Sequence, residues 1–141
     1  MQITHMIQFM QILNDTYSFY PEPEYGSTLS VLVNGVSHPG IYVGGGFVID
    51  NSSKRGGVFR VTIETFRDGR ELRNHGLIGG LSADQIVQNA YAALGKDYDF
   101  FLFNCKDFVR EARGQELLTL LIKAGVTGAV AYAGFRVARR A

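Results

Sequence analysis

The spacing of apolar residues changes once along the chain, and that change limits the folds open to it. Between about residues 29 and 63 apolar side chains tend to recur at alternate positions, and from Ser82 onward they recur at every third or fourth. A period of two belongs to a half-buried strand and a period near 3.6 to a helix. Strands come first and helices follow, which predicts an α+β organisation. With 141 residues the chain suffices for one domain and can bury a core without disulfides or a structural metal.

Turn chemistry sets the expected elements within the strand-forming half. Leu29, Val31 and Val33 alternate with Ser30 and Leu32, and Asn34-Gly35 follows, a pair suited to a two-residue hairpin turn. Ile41-Tyr42-Val43 and Phe47-Val48-Ile49 flank three glycines, Gly44 to Gly46, which predicts a second hairpin whose loop takes positive φ. Lys54 to Gly57 reads as a polar loop. Phe59, Val61 and Ile63 alternate with Arg60, Thr62 and Glu64, a strand with one wet face. Asp68-Gly69 is a turn, and Glu71 to Arg73 is expected to pair with the preceding strand.

In the helical half, Ser82-Ala-Asp-Gln85 has the form of a capping box, and Ile86, Ala90, Tyr91 and Leu94 share a face before Gly95. Asn104 can cap the next helix, in which Cys105, Phe108, Val109 and Ala112 fall at i, i+3, i+4 and i+7. The N-terminal apolar residues Ile3, Met6, Ile7, Met10 and Leu13 fit a short helix or a strand. No basic residue precedes Lys54, so a secretory signal is not expected.

Composition excludes some chemistries. A formal charge of +1, with no basic stripe, argues against a nucleic-acid partner. The single cysteine can form neither an internal disulfide nor a cysteine metal cluster, and it fits a reducing, cytoplasmic compartment. No metal and no cofactor is expected. Position 105 is nevertheless chemically special: the first residue of a helix capped by Asn104 lies among unpaired N–H groups at the positive end of the helix dipole. Both effects favour a thiolate, and the same N–H groups can stabilise an oxyanion. Core packing beside Phe108 and Val109 is the other reading that the periodicity allows.

A thiolate nucleophile needs a base. The histidines are His5, His38 and His75. His5 has no motif around it, and His75 lies in a glycine-rich polar stretch expected to be a solvated loop. His38 opens a hairpin arm, and Asp50 lies twelve residues on, past the glycine turn. Antiparallel arms bring residues 38 and 50 within one or two rungs, where a carboxylate can orient an imidazole.

Two segments together resemble a known family. His38-Pro-Gly-Ile-Tyr-Val-Gly-Gly-Gly-Phe-Val-Ile-Asp50 is similar to the histidine box of lecithin retinol acyltransferase-like proteins, a branch of the circularly permuted, papain-like NlpC superfamily. Tyr98-Asp-Phe-Phe-Leu-Phe-Asn104-Cys105-Lys-Asp-Phe108-Val109 is similar to its cysteine box, and histidine precedes cysteine, the permuted order. The resemblance covers roughly residues 28 to 113. It implies a circularly permuted papain-like fold, a small antiparallel sheet packed on helices, with the nucleophile at a helix N-terminus.

The resemblance also implies a thioester acyl-enzyme on Cys105, with His38 as acid and base and Asp50 as orienting group. Asn104 is read as helix cap or oxyanion neighbour, and Tyr42 and Tyr98 as residues that can line the cleft. The chain departs from the family pattern at Asp50, where relatives often carry histidine, and at Lys106-Asp107, where they often carry Glu-His. Pro39 replaces an aromatic and, lacking an N–H, predicts an edge or bulged strand. The second oxyanion donor is unassigned. Permuted isopeptidases that remove ubiquitin-like modifiers share the Asn-Cys helix and are the alternative, as is a non-catalytic interaction module.

The expected organisation is a catalytic domain over 1–114 and an apolar C-terminal helix over 115–141. From Leu117 to Phe135 the exceptions to apolar or small residues are Thr119, Lys123, Thr127 and Tyr132, and Arg136, Arg139 and Arg140 follow. This segment is a candidate membrane contact, with the arginines at the headgroups, or equally a helix whose apolar face caps the core. Lys123 argues against clean insertion, while Gly125, Gly128 and Gly134 are more tolerable in lipid than in water. The expected partners are an acyl-bearing substrate, lipid rather than peptide, and a membrane surface met through residues 117–140.

Overall fold

The computed structural model describes residues 2–17 and 21–125. The elements in order are α1 (Gln2–Tyr17), β1 (Thr28–Val33), β2 (Val36–Gly44), β3 (Phe47–Ser52), β4 (Gly57–Thr62), α2 (Ile63–Arg67), β5 (Arg73–Asn74), α3 (Ala83–Ala92) and α4 (Cys105–Ala112). Residues 116–125 are also helical. The five strands form one sheet in the order β4-β3-β2-β1-β5, every pairing antiparallel. The protein is α+β.

Both hairpins form where the turn residues predict them. Asn34 and Gly35 take φ of 50° and 77°, and Val33 pairs with Val36. Two successive positive φ values match the right-handed twist of the flanking strands. Gly44, Gly45 and Gly46 all have positive φ, and the β2–β3 register shifts between Tyr42 and Gly44.

The strand expected to run through Ile63 stops at Thr62. The Thr62 hydroxyl accepts from the Thr65 N–H at 3.1 Å and starts the short helix α2. The wet face of β4 also differs from the alternation, because Phe59 is exposed while Val58 is buried. Residues 73–74 do not return to β4. They pair with β1 on the opposite edge, Leu29 with Asn74, because α2 carries the chain away from β4.

Pro39 is neither on an edge strand nor at the bulge, since β2 is the central strand. The Tyr42 N–H donates toward β1, to the Ser27 carbonyl, so by alternation position 39 faces β3. The β2–β3 pairing starts only at Ile41, so no ladder bond is lost to the proline.

The sheet has two buried faces. Ile41, Val43, Ile49 and Val58 pack with Ile86, Val87 and Ala90 of α3 and with Phe108, Val109 and Ala112 of α4. On the other face Leu29, Val31, Tyr42 and Val48 pack with Phe66 of α2. On α3 the buried stripe is Ile86, Val87 and Ala90, whereas Tyr91 and Leu94 are exposed, one step round from the expected face. Ser82 caps α3 by accepting from the Gln85 N–H, but the Gln85 side chain bonds Asn89 instead of closing a capping box.

α1 resolves the N-terminal ambiguity in favour of a helix, with Ile3, Met6, Ile7, Phe9 and Met10 exposed. Among the described residues no helix is long and apolar enough to cross a membrane. Most of the candidate membrane segment, residues 126–141, lies outside the described residues.

Candidate functional site

Three elements meet at one end of the sheet: the start of β2, the end of β3 and the start of α4. Cys105 is the first residue of α4 and is partly exposed. Asn104 is its N-cap, with the side-chain oxygen accepting from the N–H groups of Lys106 at 3.0 Å and Asp107 at 3.1 Å. Asp107 closes a full capping box by accepting from the Asn104 N–H at 3.2 Å. Asn104 therefore serves the helix. Its cap occupies two of the N–H groups expected to serve an oxyanion, and the Phe108 N–H goes to the Asn104 carbonyl. The Cys105 N–H remains as the first-turn donor with no protein acceptor among the described residues.

His38 and Asp50 come together across the β2–β3 hairpin. His38 Nε2 lies 2.6 Å from Asp50 Oδ2. The Asp50 side chain is 1% exposed and that of His38 20%. Nε2 being taken, Nδ1 is the ring atom left to face Cys105, which lines the same cleft. Burial alone would lower the His38 pKa. The hydrogen bond to Asp50 and the nearness of Cys105 and of the Asp50 charge outweigh it and raise the imidazole from 6.5 to about 9. At neutral pH His38 is an imidazolium held against the Asp50 carboxylate.

Two residues outside the predicted set hold this pair. The Phe66 ring lies against the His38 ring, centroids 5.7 Å apart. It can lie there because position 40 is glycine: a Cβ would meet Val48 Cγ1 at 2.7 Å and Phe66 Cε2 at 2.9 Å. Arg55 Nη2 donates to the second Asp50 oxygen, Oδ1. In the sequence Arg55 was one charge in a polar loop. Its signal was the brevity of that loop, since Ser52 pairs with Gly57 and residue 55 must fold back over the end of β3.

A cleft of about 620 Å³ opens on Cys105, His38 and Asp50. Val33, Val36 and Phe66 give it an apolar wall, while Lys54 and Arg70 lie at its polar side. Tyr98 lines it as expected from the sequence, brought there by its N–H bond to the Gly56 carbonyl at 3.0 Å. Burial, then the charges of Cys105, Asp107 and Asp99, push the Tyr98 phenol up. Tyr42 does not line the cleft. It is 1% exposed in the second core, where its hydroxyl donates to Glu22 and accepts from the Gly46 N–H. An inward position on the central strand leaves its ring no path to the cleft.

No protein-family model matches the chain, and no curated protein matches it.

His75 is an exposed loop residue, as expected, and its Nε2 lies 2.7 Å from the Ser30 hydroxyl while its N–H donates to the Thr28 carbonyl. Among the described residues no group of three His, Cys, Asp or Glu side chains could hold a metal ion.

Proposed function

We propose that the protein is a cysteine-dependent hydrolase or acyltransferase with a circularly permuted papain-like fold, working through a thioester on Cys105. The observation that carries this reading is that His38, hydrogen-bonded to the buried Asp50, shares one cleft with Cys105 at the start of a capped helix. A structural cysteine needs no such partner. An imidazolium beside the sulfur favours the thiolate, which is the attacking species.

In the first half-reaction the Cys105 sulfur bonds to the substrate carbonyl carbon. The bond to the leaving group breaks, and His38 gives that group its proton. In the second, water or another acceptor attacks the thioester and passes its proton to His38, and the thiolate is released. Asp50 fixes the imidazole orientation throughout. The Cys105 N–H is one oxyanion donor, worth about 3 kcal/mol. The Tyr98 hydroxyl, which stays protonated and lines the same cleft as Cys105, is the candidate for the second.

The cleft supports an amphiphilic acyl substrate, a lipid ester before a peptide. Val33, Val36 and Phe66 suit an acyl chain, and Lys54, which has no ion-pair partner among the described residues, suits a polar or anionic head. Membrane contact through the C-terminal segment belongs to the same reading.

Turnover of ester substrates of graded chain length, beside a panel of peptides and isopeptides, tests the proposal. Cys105→Ala and His38→Ala are each expected to lower turnover by at least about a thousandfold with the fold intact. Full activity in Cys105→Ala refutes it. Activity confined to isopeptides reassigns the substrate.

A further inference from the structure

Asp50 is buried, yet neither of its oxygens is free. Oδ2 is 2.6 Å from His38 Nε2, and Oδ1 receives Arg55 Nη2. The backbone around Arg55 is pinned at several points: Gly56 N–H to the Ser52 carbonyl at 2.8 Å, Arg55 N–H to the Ser52 hydroxyl at 3.4 Å, and Tyr98 N–H to the Gly56 carbonyl at 3.0 Å. Gly56 takes φ of 80°, which closes the short loop. The guanidinium is thus held on the carboxylate by the loop that carries it, and it lies at the cleft without occupying Cys105.

We propose that Arg55 is a positioning residue: it fixes the Asp50 carboxylate so that Oδ2 faces His38, and its charge lets His38 give up its proton when Cys105 is acylated. The inference rests on the thioester reading above. A buried carboxylate paired only with an imidazolium resists losing that proton, because deprotonation strands the negative charge. With Arg55 in place Asp50 stays compensated in both states of His38.

The need for this arises between the two half-reactions. Once the sulfur–carbon bond forms and the leaving group takes the proton of His38, the thiolate charge is gone and His38 is neutral. Attack by water then forms the new carbon–oxygen bond, breaks the carbon–sulfur bond and returns one proton to His38. If Arg55 were absent, His38 would recapture a proton from solvent early and could not serve as base. The groups that face or share the cleft with His38 are Asp50 and Arg55 from β3 and its following loop, Cys105 from α4, and Lys54, Asp68, Arg70 and Tyr98 around the opening, while Phe66 of α2 is uncharged. Of these only Arg55 shares the carboxylate with His38.

The test separates this role from the reaction itself. NMR titration of His38 is done in a Cys105→Ala background, which mimics the loss of the thiolate charge. Arg55→Met is expected to raise the His38 midpoint by about one unit. With Cys105 present, the same variant should accumulate acyl-enzyme on an activated ester, with the turnover optimum displaced to higher pH. Arg55→Lys keeps the charge but not the planar fork, so its midpoint should stay within about 0.5 unit of the parent while turnover falls about tenfold or more. An unchanged or lowered midpoint in Arg55→Met overturns the proposal. If that variant does not fold, Arg55→Lys decides: wild-type turnover overturns the positioning role, and reduced turnover at an unchanged midpoint supports it. Full activity in Cys105→Ala would refute the thioester reading while leaving the His38 titration to report on Arg55.

Discussion

Two successive helices use their apolar residues in opposite ways. α4 turns Phe108, Val109 and Ala112 into the core and leaves Lys106 outside. The 116–125 helix leaves Leu117, Leu118, Leu120, Leu121 and Ile122 exposed, while Thr119 is buried. Lys123 reaches back to the Asp107 carboxylate and the Leu102 carbonyl, both at 3.2 Å. α4 is docked by burial, whereas the next helix is tied to the start of α4 by charge, with its leucines facing outward. Apolar spacing says that a helix has a greasy side. It does not say on which side the protein lies, and the polar residues that find partners settle that.

The largest expected effect lies on the docked side. Phe108→Ala should cost about 3–5 kcal/mol in urea denaturation, through lost transfer energy and the cavity left behind. Leu121→Ala should cost less than about 0.5 kcal/mol by the same measurement. Comparable losses for the two would break the contrast and mean that Leu121 is covered in solution.

Next comes the charge on His38. The folded His38 pKa of about 9 lies above the ordinary 6.5, so the folded state binds the proton more tightly. The resulting stability is fully present below about pH 6.5 and is lost as pH rises through about 9. It is expected to be on the order of 1–3 kcal/mol between those limits. Denaturation across that range should show the decline, and His38→Gln should flatten it. An unchanged slope in His38→Gln would place the pH sensitivity elsewhere.

A smaller effect is expected at the cap of α4, whose capping-box partner Asp107 also receives Lys123. Asn104→Ala should cost about 1 kcal/mol by freeing the Lys106 and Asp107 N–H groups. Smallest in global terms is Lys123→Met, expected to change stability by less than about 1 kcal/mol. It should nonetheless speed hydrogen exchange across 116–125 and leave α4 protected. Equal acceleration in both helices would show that they form one cooperative unit.

The sequence made the class, both hairpins and the α4 stripe readable because each rests on local chemistry: Asn34-Gly35, the three glycines, and an Asn cap before an i, i+3, i+4 pattern. His38 and Asp50 could be paired because one short hairpin joins them. Arg55 and Phe66 could not be found that way, since their roles depend on how a loop and a five-residue helix fold back over the sheet. β5 was misassigned because α2 was hidden in an apparently continuous alternation, and only the Thr62 cap marks its start. Tyr42 was misplaced because a strand pattern does not say which of two buried faces opens to solvent. The leucines after residue 116 showed an apolar segment but not its orientation, which depends on Lys123 meeting an acid sixteen residues earlier.

Position 40 has a consequence for how this centre can vary. The space where its side chain would stand is filled by Phe66, and Phe66 lies against the imidazole. The aim of the histidine is thus governed by a residue with no functional group at all. A single added methyl there would meet Val48, Phe66 and the Ile49 carbonyl first, and would act on the imidazole as a wedge through Phe66. Variation among natural or engineered versions of this chain should therefore halt at residue 40. An inactive variant carrying an intact cysteine, histidine and aspartate should be searched for first at that glycine.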